Sequence, residues 1–416
     1  MIQRRVTFLR ALNLILGIVL LSHPVSTYAD SGPWTTEFWG TFTFEHRKFT
    51  DRPAYVGRES NESSFSSRFT LYFEDENYRS FTLTPHLRYD AADSERNLAD
   101  LQEAYFLLFG DIGENEWELR LGFDKVFWGV VESRNLVDIV NQTDVAAHPD
   151  EKSKLGQLMA HLTLTSDWGV MELFALPFHR LRTYPGVGGR FRTAWVFDND
   201  RVIYESTASE WNFDVAARYS NSVGSVEFGV STFYGTAREP SIRFVPGQPF
   251  LFPYYEVIRQ YGLDGQITTG PFLFKLETIN RSGSSNRLIQ KEDFTAYILG
   301  AEYSLYSLFG SELDMTLFTE YIYDQRKDRA THEFNDDVFL STRFAFNDAA
   351  STELTTSILS STDNDSQTLA LKFSRRISDQ WVMDIEGLSI LKTKESDLLY
   401  PIKEDSYIGF KINYSF

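Results

Sequence analysis

The side chains best suited to acid–base or nucleophilic chemistry do not form a recognisable catalytic set. The chain contains no cysteine, which excludes thiolate metal sites, Fe–S clusters and cysteine nucleophiles. It also lacks the His-Glu-x-x-His, Gly-x-Ser-x-Gly, phosphate-loop and dinucleotide-binding motifs. No metal-ligand spacing links the seven histidines, which are His23, His46, His86, His148, His161, His179 and His332. We therefore predict no catalytic residue, no metal and no cofactor.

Charged residues are the other chemistry-bearing groups, and acids dominate them. The 416 residues include 58 Asp and Glu against 40 Lys and Arg, a formal net charge of −18. This balance disfavours nucleic-acid binding, because phosphate contacts require a basic surface. Aromatic residues make up 15% of the chain, which argues against disorder and indicates a large packed or lipid-facing surface.

Most charged residues occur in segments where polar and apolar residues alternate. In one such segment Phe65, Phe69 and Leu71 fall on one face, whereas Arg68 and Thr70 fall on the other. The pattern recurs near residues 81–90, 116–124, 211–219 and 313–323. These segments are about 10 to 13 residues long, which exceeds the usual soluble strand and suits a tilted strand crossing a membrane. After residue 30, no apolar run reaches the roughly 18 residues of a transmembrane helix.

Connector lengths alternate as regularly as the side chains. Eight short polar turns and nine mostly longer loops separate the segments, which predicts about eighteen antiparallel strands, with 16 to 18 plausible. Residues 191–204 form either strand structure of the main sheet or a hairpin inside a loop. Aromatic residues beside the short turns predict an interfacial girdle, and they are Trp117, Trp168, Tyr219, Phe272, Tyr303, Phe346 and Trp381.

The N-terminus has the pattern of an export signal. Arg4, Arg5 and Arg10 precede an apolar stretch over residues 11–21, which is too short to span a bilayer, and Ala29 ends a small-residue cleavage site. We predict a cleavable signal peptide over residues 1–29 and a single barrel domain over residues 30–416.

The last ten residues, Tyr407 to Phe416, alternate apolar and small or polar side chains and end in Phe416. This strand resembles the terminal assembly signal of Gram-negative outer-membrane β-barrel proteins. The resemblance implies an all-β transmembrane up-and-down barrel in the outer membrane, with short periplasmic turns and long extracellular loops. It implies insertion by the barrel-assembly machinery, and outer-membrane lipids and lipopolysaccharide as surroundings. Size and strand count are most similar to 18-stranded substrate-selective porins and alginate-export-type channels, although no motif fixes the subfamily.

If apolar residues face lipid, the polar faces line the interior. We predict that charged residues there contact a small polar solute, and the candidates are Arg68, Arg88, Glu118, Arg120, Asp124, Glu132, Arg134, Asp138, Asp144, Arg218, Arg343 and Lys372. Inward acids outnumber inward bases about two to one, which predicts modest cation selectivity. At the narrowest point, Arg120 and Arg134 are expected to face Asp124 and Asp138.

Two long loops are candidate functional elements. In residues 127–155 the helical spacing of Leu136, Ile139 and Val140 predicts a short helical turn that packs against the barrel wall and narrows the lumen. The alternative is an extracellular loop that shields the surface. The second loop carries basic and aromatic residues, which are Arg180, Arg182, Arg190, Arg192, Tyr184 and Phe191. This mixture suits either an anionic or sugar ligand or the phosphates of lipopolysaccharide.

These observations favour a channel that passes or exports a small polar or charged solute, carbohydrates included, and performs no chemistry. Two alternatives remain open. A barrel enzyme of the lipase or protease type would need a Ser–His pair at hydrogen-bond distance, and His161 with Thr163 and Thr165 on one strand face is the nearest candidate. A structural or adhesive surface barrel would have a lumen closed by bulky side chains. The sequence does not distinguish import from export or fix the oligomeric state.

Overall fold

The computed structural model describes residues 34–416, so the predicted signal peptide lies outside the described residues. The chain forms strands joined by turns, loops and single-turn 3₁₀ helices. The strands are β1 Trp34–Phe49, β2 Asn61–Asp75, β3 Ser80–Asp90, β4 Leu98–Ile112, β5 Asn115–Asp124, β6 Gln157–Ser166, β7 Gly169–Leu176, β8 Val196–Phe197, β9 Ile203–Tyr204, β10 Asp214–Val223, β11 Val226–Thr236, β12 Ser241–Phe244, β13 Phe250–Tyr255, β14 Val257–Thr269, β15 Phe272–Ser282, β16 Phe294–Leu305, β17 Asp314–Asp324, β18 Asp336–Ala345, β19 Glu353–Ser361, β20 Gln367–Arg376, β21 Trp381–Lys392 and β22 Tyr407–Ser415. The 3₁₀ turns are Ser94–Arg96, Ser209–Trp211, Leu308–Gly310, Lys327–Arg329 and Tyr400–Ile402.

Eighteen of these strands form one closed antiparallel sheet in which sequence neighbours pair. β7 pairs directly with β10, and β11 pairs with β14, because β8, β9, β12 and β13 lie in the intervening loops. Pairing of β1 with β22 closes the barrel. The predicted all-β, up-and-down barrel of about eighteen strands is confirmed.

Strand alternation places apolar side chains outside and polar ones inside. On β18, Leu340 is 48% exposed on the outer face, whereas its neighbour Ser341 lines an internal cavity. Large apolar residues recur on the outer face of other strands, including Phe106 on β4 and Leu299 on β16. Such a continuous apolar exterior is expected for a surface that contacts lipid rather than water. No helix within residues 34–416 is long and apolar enough to cross a bilayer.

The connections differ in length at the two ends of the barrel. The eight turns at one end, here the short-turn end, include two-residue hairpins in which Gly224 (φ 63°) and Gly270 (φ 57°) adopt the left-handed conformation that tight hairpins require. Nine loops lie at the opposite, long-loop end. The predicted aromatic residues beside the short turns are on the outer face: Trp168 stacks on Tyr219 with centroids 6.0 Å apart, and Phe272 contacts Tyr303 at 4.7 Å.

The terminal residue takes part in barrel closure. The backbone N–H of Phe416 donates to Gly40 O at 3.1 Å, and the Gly40 N–H donates to Phe416 O at 3.1 Å. The Phe416 ring packs beside Phe38 and Phe42, with centroids 5.7 and 5.8 Å away. A Cβ at Gly40 would lie 3.0 Å from this ring, so the glycine makes room for it.

A second, four-stranded sheet covers part of the long-loop end. β12 pairs antiparallel with β13, and the two-residue strands β8 and β9 both pair parallel with β13. Residues 191–204 therefore do not form a hairpin of their own. Their two strands instead pair with a segment of the next long loop, which sequence periodicity could not indicate.

The candidate solute passage and its constriction loop

The connection between β5 and β6, residues 125–156, folds into the barrel, and we call it the constriction loop. Val137 and Val140 are fully buried, and Leu136 and Ile139 are nearly so. They pack in one apolar cluster with inward residues of the barrel wall, including Leu176, Phe233, Ile258 and Ile298. The loop therefore narrows the lumen, and the alternative of an extracellular shielding loop is excluded.

The predicted helical turn within this loop is wrong, and the reason lies in the wall. Residues 125–156 contain no helix. Glu277 on β15 accepts hydrogen bonds from the backbone N–H groups of Val130 and Leu136, each at 2.7 Å. Glu320 on β17 accepts from the N–H groups of Glu132 and Ser133 at 2.7 and 2.9 Å. Wall carboxylates thus replace the carbonyl acceptors that a helix would have supplied.

The far end of the constriction loop is fixed to the opposite wall. Asp144 forms an ion pair with Arg88 on β3 at 3.0 Å. Ala147 O accepts hydrogen bonds from Arg47 at 3.1 Å and from Arg96 at 3.2 Å. Because its two ends attach to different walls, the constriction loop crosses the interior and divides it.

His148 makes a further contact between the constriction loop and the wall. Its Nε2 lies 2.5 Å from Glu386 Oε1 on β21, and its Nδ1 lies 2.9 Å from Asp150. Burial lowers the pKa of His148, but the two carboxylates outweigh burial and raise it above its ordinary value. Burial of Asp150 acts against ionisation, yet His148 lowers the pKa of Asp150 to about 2. The pair therefore favours a protonated histidine at this contact.

The constriction loop leaves an open space along the other half of the barrel, which we call the passage cavity. Its volume is about 780 Å³. It extends from Thr41 and Asn413, near the short-turn end, to Leu399 and Ile402 in the loop between β21 and β22. The lining comes chiefly from β17 to β22 and from β1 to β3. Bulky side chains therefore do not close this part of the lumen.

Basic side chains outnumber acidic ones in the passage cavity. The basic lining residues are Arg47, Arg68, Arg88, Arg96, Lys152, Arg343, Lys372 and Lys411. The acidic ones are Glu45, Glu132, Asp150, Glu333 and Glu386. Arg68, Arg343 and Lys372 are solvent-exposed, and none has a carboxylate oxygen within ion-pair distance among residues 34–416. Arg343 instead lies over the Phe318 ring at 5.4 Å.

The predicted cation selectivity depends on an excess of inward acids that face open space. Many inward acids form hydrogen bonds or ion pairs within the protein and do not face open space. Glu277 and Glu320 hold the constriction loop, Asp264 pairs with Arg218 at 2.5 Å, and Asp214 pairs with Arg238 at 2.8 Å. Counting all inward charges therefore overstates the negative charge that a solute would meet.

The sequence-predicted contact residues fall into two groups. Arg68, Arg88, Glu132, Arg343 and Lys372 line the passage cavity. The others lie elsewhere in the interior or are already paired: Arg120 with Glu118 at 2.8 Å and Asp124 at 3.3 Å, Asp138 with Lys154, Asp144 with Arg88, Arg218 with Asp264, and Arg134 near Glu239. The expected arrangement of Arg120 and Arg134 opposite Asp124 and Asp138 is not formed, because Arg120 and Asp124 pair along the same strand.

Sequence reasoning missed Arg96, His148 and Lys152 as lining residues. All three lie in loops, where no periodicity assigns a side chain to the interior. The structure brings them inward only because the loops between β3 and β4 and between β5 and β6 fold over the lumen.

The basic and aromatic mixture of the second loop is not an open binding site. Arg190 is 1% exposed and sits over the Phe49 ring at 4.1 Å. Tyr184 stacks on Phe197 at 3.6 Å. The arginines are already satisfied by Asp100 for Arg180, Glu151 for Arg182, Asp405 for Arg190, and backbone carbonyls for Arg192. They hold loops together, and each of the four already has a partner within the chain.

One Ser–His contact bears on the enzyme alternative. His46 Nδ1 lies 2.8 Å from Ser63 Oγ on the outer face of β1 and β2. No carboxylate or amide within the described chain orients the other ring nitrogen, and the backbone N–H groups nearby belong to the β1–β2 ladder. The pair therefore lacks an orienting group and oxyanion donors. His161 contacts Glu172 at 3.1 Å and Thr163 at 3.2 Å, and no serine.

Comparison with known proteins identifies the architecture. Neither a protein-family model nor a curated protein matches the sequence. Among solved structures, OpdQ of Pseudomonas aeruginosa is 9% identical with a TM-score of 0.52, covering 93% of this chain and 99% of OpdQ. Mutants of the Rh. blastica porin are 11 to 12% identical with a TM-score of 0.43, covering 92% of this chain and 100% of theirs. At such identities only the fold is informative, and in fold this chain is a porin-like β-barrel.

Proposed function

We propose that the protein is an outer-membrane channel through which small anionic solutes diffuse, carboxylated carbohydrates included. The observation that carries this proposal is the passage cavity, which extends along most of the barrel and exposes three basic side chains without ion-pair partners. An apolar exterior and a porin-like fold support placement in a membrane. Nothing in the arrangement requires a chemical step.

The charge of the cavity explains the preference for anions. Arg68, Arg343 and Lys372 face water confined between low-dielectric walls, where charges are screened less than on an open surface. Arg343 and Lys372 lie on nearby strands, β18 and β20, and both align with Thr355 on β19 in the sheet register. A carboxylate or phosphate passing this wall therefore meets successive cationic groups.

Reversal potentials in a salt gradient across planar bilayers test the proposal. The wild-type channel should prefer anions at about 0.1 M salt, and the preference should weaken toward 1 M as the Debye length falls to about 3 Å. The double substitution Arg343→Gln and Lys372→Gln should shift the reversal potential toward cation selectivity. Arg375→Gln removes a charge from β20 at a residue outside the cavity lining and should change little. Cation selectivity of the wild-type channel at low salt would refute the proposal.

The surroundings of the proposed channel follow from its exterior. Lipids and lipopolysaccharide would cover the apolar outer face, and the barrel-assembly machinery would recognise the terminal strand ending in Phe416. The lipase alternative predicts hydrolysis of phospholipid that Ser63→Ala abolishes, whereas the channel proposal predicts unchanged conductance in that variant.

A further inference from the structure

A second cavity lies on the other side of the constriction loop. Its volume is about 390 Å³, and it is enclosed by that loop, by β15 to β17 and by the loop between β17 and β18. Seven carboxylates, six basic side chains and His332 line it, so its charges nearly balance. This nearly balanced composition differs from the basic excess of the passage cavity. It therefore favours a solute that carries both a positive and a negative charge.

We call this second cavity the side pocket, and most of its charged groups are already paired. Lys154 contacts Asp138 at 3.2 Å, and Arg182 contacts Glu151. Asp324 is paired with Arg326 at 2.7 Å. These pairs hold loops and strands in place and leave few groups free for a ligand.

Three groups remain without a hydrogen bond between them. Glu239 Oε2 lies 3.9 Å from Arg134 Nη2 and 3.9 Å from Arg281 Nη1. Both separations are too long for direct hydrogen bonds. Other nitrogens of the two guanidinium groups are engaged, since Arg134 Nη1 donates to Phe334 O, and Arg281 Nε and Nη2 donate to Gln260. The Glu239 carboxylate, Arg134 Nη2 and Arg281 Nη1 therefore converge on the same space without a direct hydrogen bond between them.

Electrostatics keeps these groups charged. Burial of Glu239 opposes ionisation, but Arg134, His332, Arg182 and Arg281 lower its pKa to about 2. Glu239 is thus an anion at neutral pH that can accept hydrogen bonds from an ammonium group. Apolar side chains complete the lining of the pocket, and they include Val130, Ile279, Phe294 and Phe334.

We propose that the side pocket binds a small zwitterion, an α-amino acid with an uncharged side chain. Its carboxylate would bind Arg134 and Arg281, its ammonium group would bind Glu239, and its side chain would contact the apolar lining. A zwitterion satisfies both donors and the acceptor at once, whereas a simple anion leaves Glu239 unmatched and adds a repulsion. This site goes beyond the proposed conduction, and its test requires no current.

Calorimetric titration of the purified full barrel in detergent tests the site with three probes of similar shape. L-leucine carries both charges, L-leucinamide carries only the ammonium group, and 4-methylpentanoate carries only the carboxylate. We expect leucine to bind, and each analogue to bind at least about tenfold more weakly, because each leaves partly buried charged groups unmatched. Absence of leucine binding, or equal binding of either analogue, would overturn the proposal.

Substitutions locate the binding. Glu239→Gln and Arg134→Gln should each weaken leucine binding by about tenfold or more, whereas Glu59→Gln, at an exposed position of another loop, should leave it unchanged. Heat-modifiable migration in gels verifies that each variant retains a folded barrel. Should Glu239→Gln fail to fold, Arg134→Gln gives the same test from the constriction loop. If neither substitution changes leucine binding, the assignment of the site is wrong. If leucine binds as expected but the wild-type channel is cation-selective, the proposed function is refuted and the binding site stands.

Discussion

Removing the carboxylate of Glu277 should release one part of the constriction loop. Glu277 accepts two short hydrogen bonds from backbone N–H groups, Val130 and Leu136 at 2.7 Å, and longer ones from Val131 at 3.3 Å and Val137 at 3.4 Å. A hydrogen bond to a charged group contributes roughly 1.5 to 3 kcal/mol. The two short bonds therefore stabilise the loop by about 3 to 6 kcal/mol, less the cost of desolvating the carboxylate.

The loosening should be local in Glu277→Ala. Val140 stays buried, and the Asn141 side chain still donates to Asp124 O and Leu155 O at 2.9 Å. Residues 130–137 should lose protection in hydrogen exchange by about tenfold to 100-fold, which corresponds to roughly 1.4 to 3 kcal/mol once the desolvation cost is deducted. In planar bilayers the displaced segment should raise the conductance and its noise. Glu277→Gln, whose amide oxygen still accepts, should show a smaller change.

One result would refute this reasoning. If folded Glu277→Ala barrels had wild-type exchange rates over residues 130–137 and wild-type conductance, the carboxylate would not be what positions the loop. The apolar cluster around Val137 and Val140 would then be sufficient by itself.

Three further predictions concern pH, assembly and side-chain orientation. The folded-state pKa of His148 is raised, so its charged contact is complete below the ordinary value of about 6.5 and is lost as pH rises through the folded-state pKa. Anion preference in bilayers should therefore fall as the pH is raised above about 6.5, and a fall of the same size in His148→Gln would contradict this. Phe416→Asp should reduce the heat-modifiable barrel in outer membranes, whereas Ser415→Asp, one residue away on the opposite face, should reduce it less, and equal wild-type amounts would count against a terminal signal. Leu340→Arg, on the outer face in the middle of β18, should destabilise the barrel by about 2 to 4 kcal/mol in denaturant unfolding, whereas Ser341→Arg in the passage cavity should cost much less, and equal costs would show that the faces are misassigned.

The sequence alone determined the strand number and the faces of the strands. Alternation with period two is a local property, because successive side chains of a strand point to opposite sides whatever the strand pairs with. Leu317 and Thr316 on β17 show the outcome: Leu317 is 40% exposed on the outer face, and Thr316 is 9% exposed on the inner face. Short turns and long loops are equally local, since hairpin turns need glycine or polar residues at the turn itself.

Only the tertiary structure decided which charges face open space. Glu277 lies about 140 residues along the chain from the loop segment that it holds, and no local pattern encodes such a contact. The same holds for the helical spacing of Leu136, Ile139 and Val140, which reflects packing against several strands and not a helix. An inward acid that is paired with loop N–H groups or with an arginine adds little to the electrostatic potential that a solute meets. The sign of the potential in the passage cavity therefore depends on which acids the constriction loop covers.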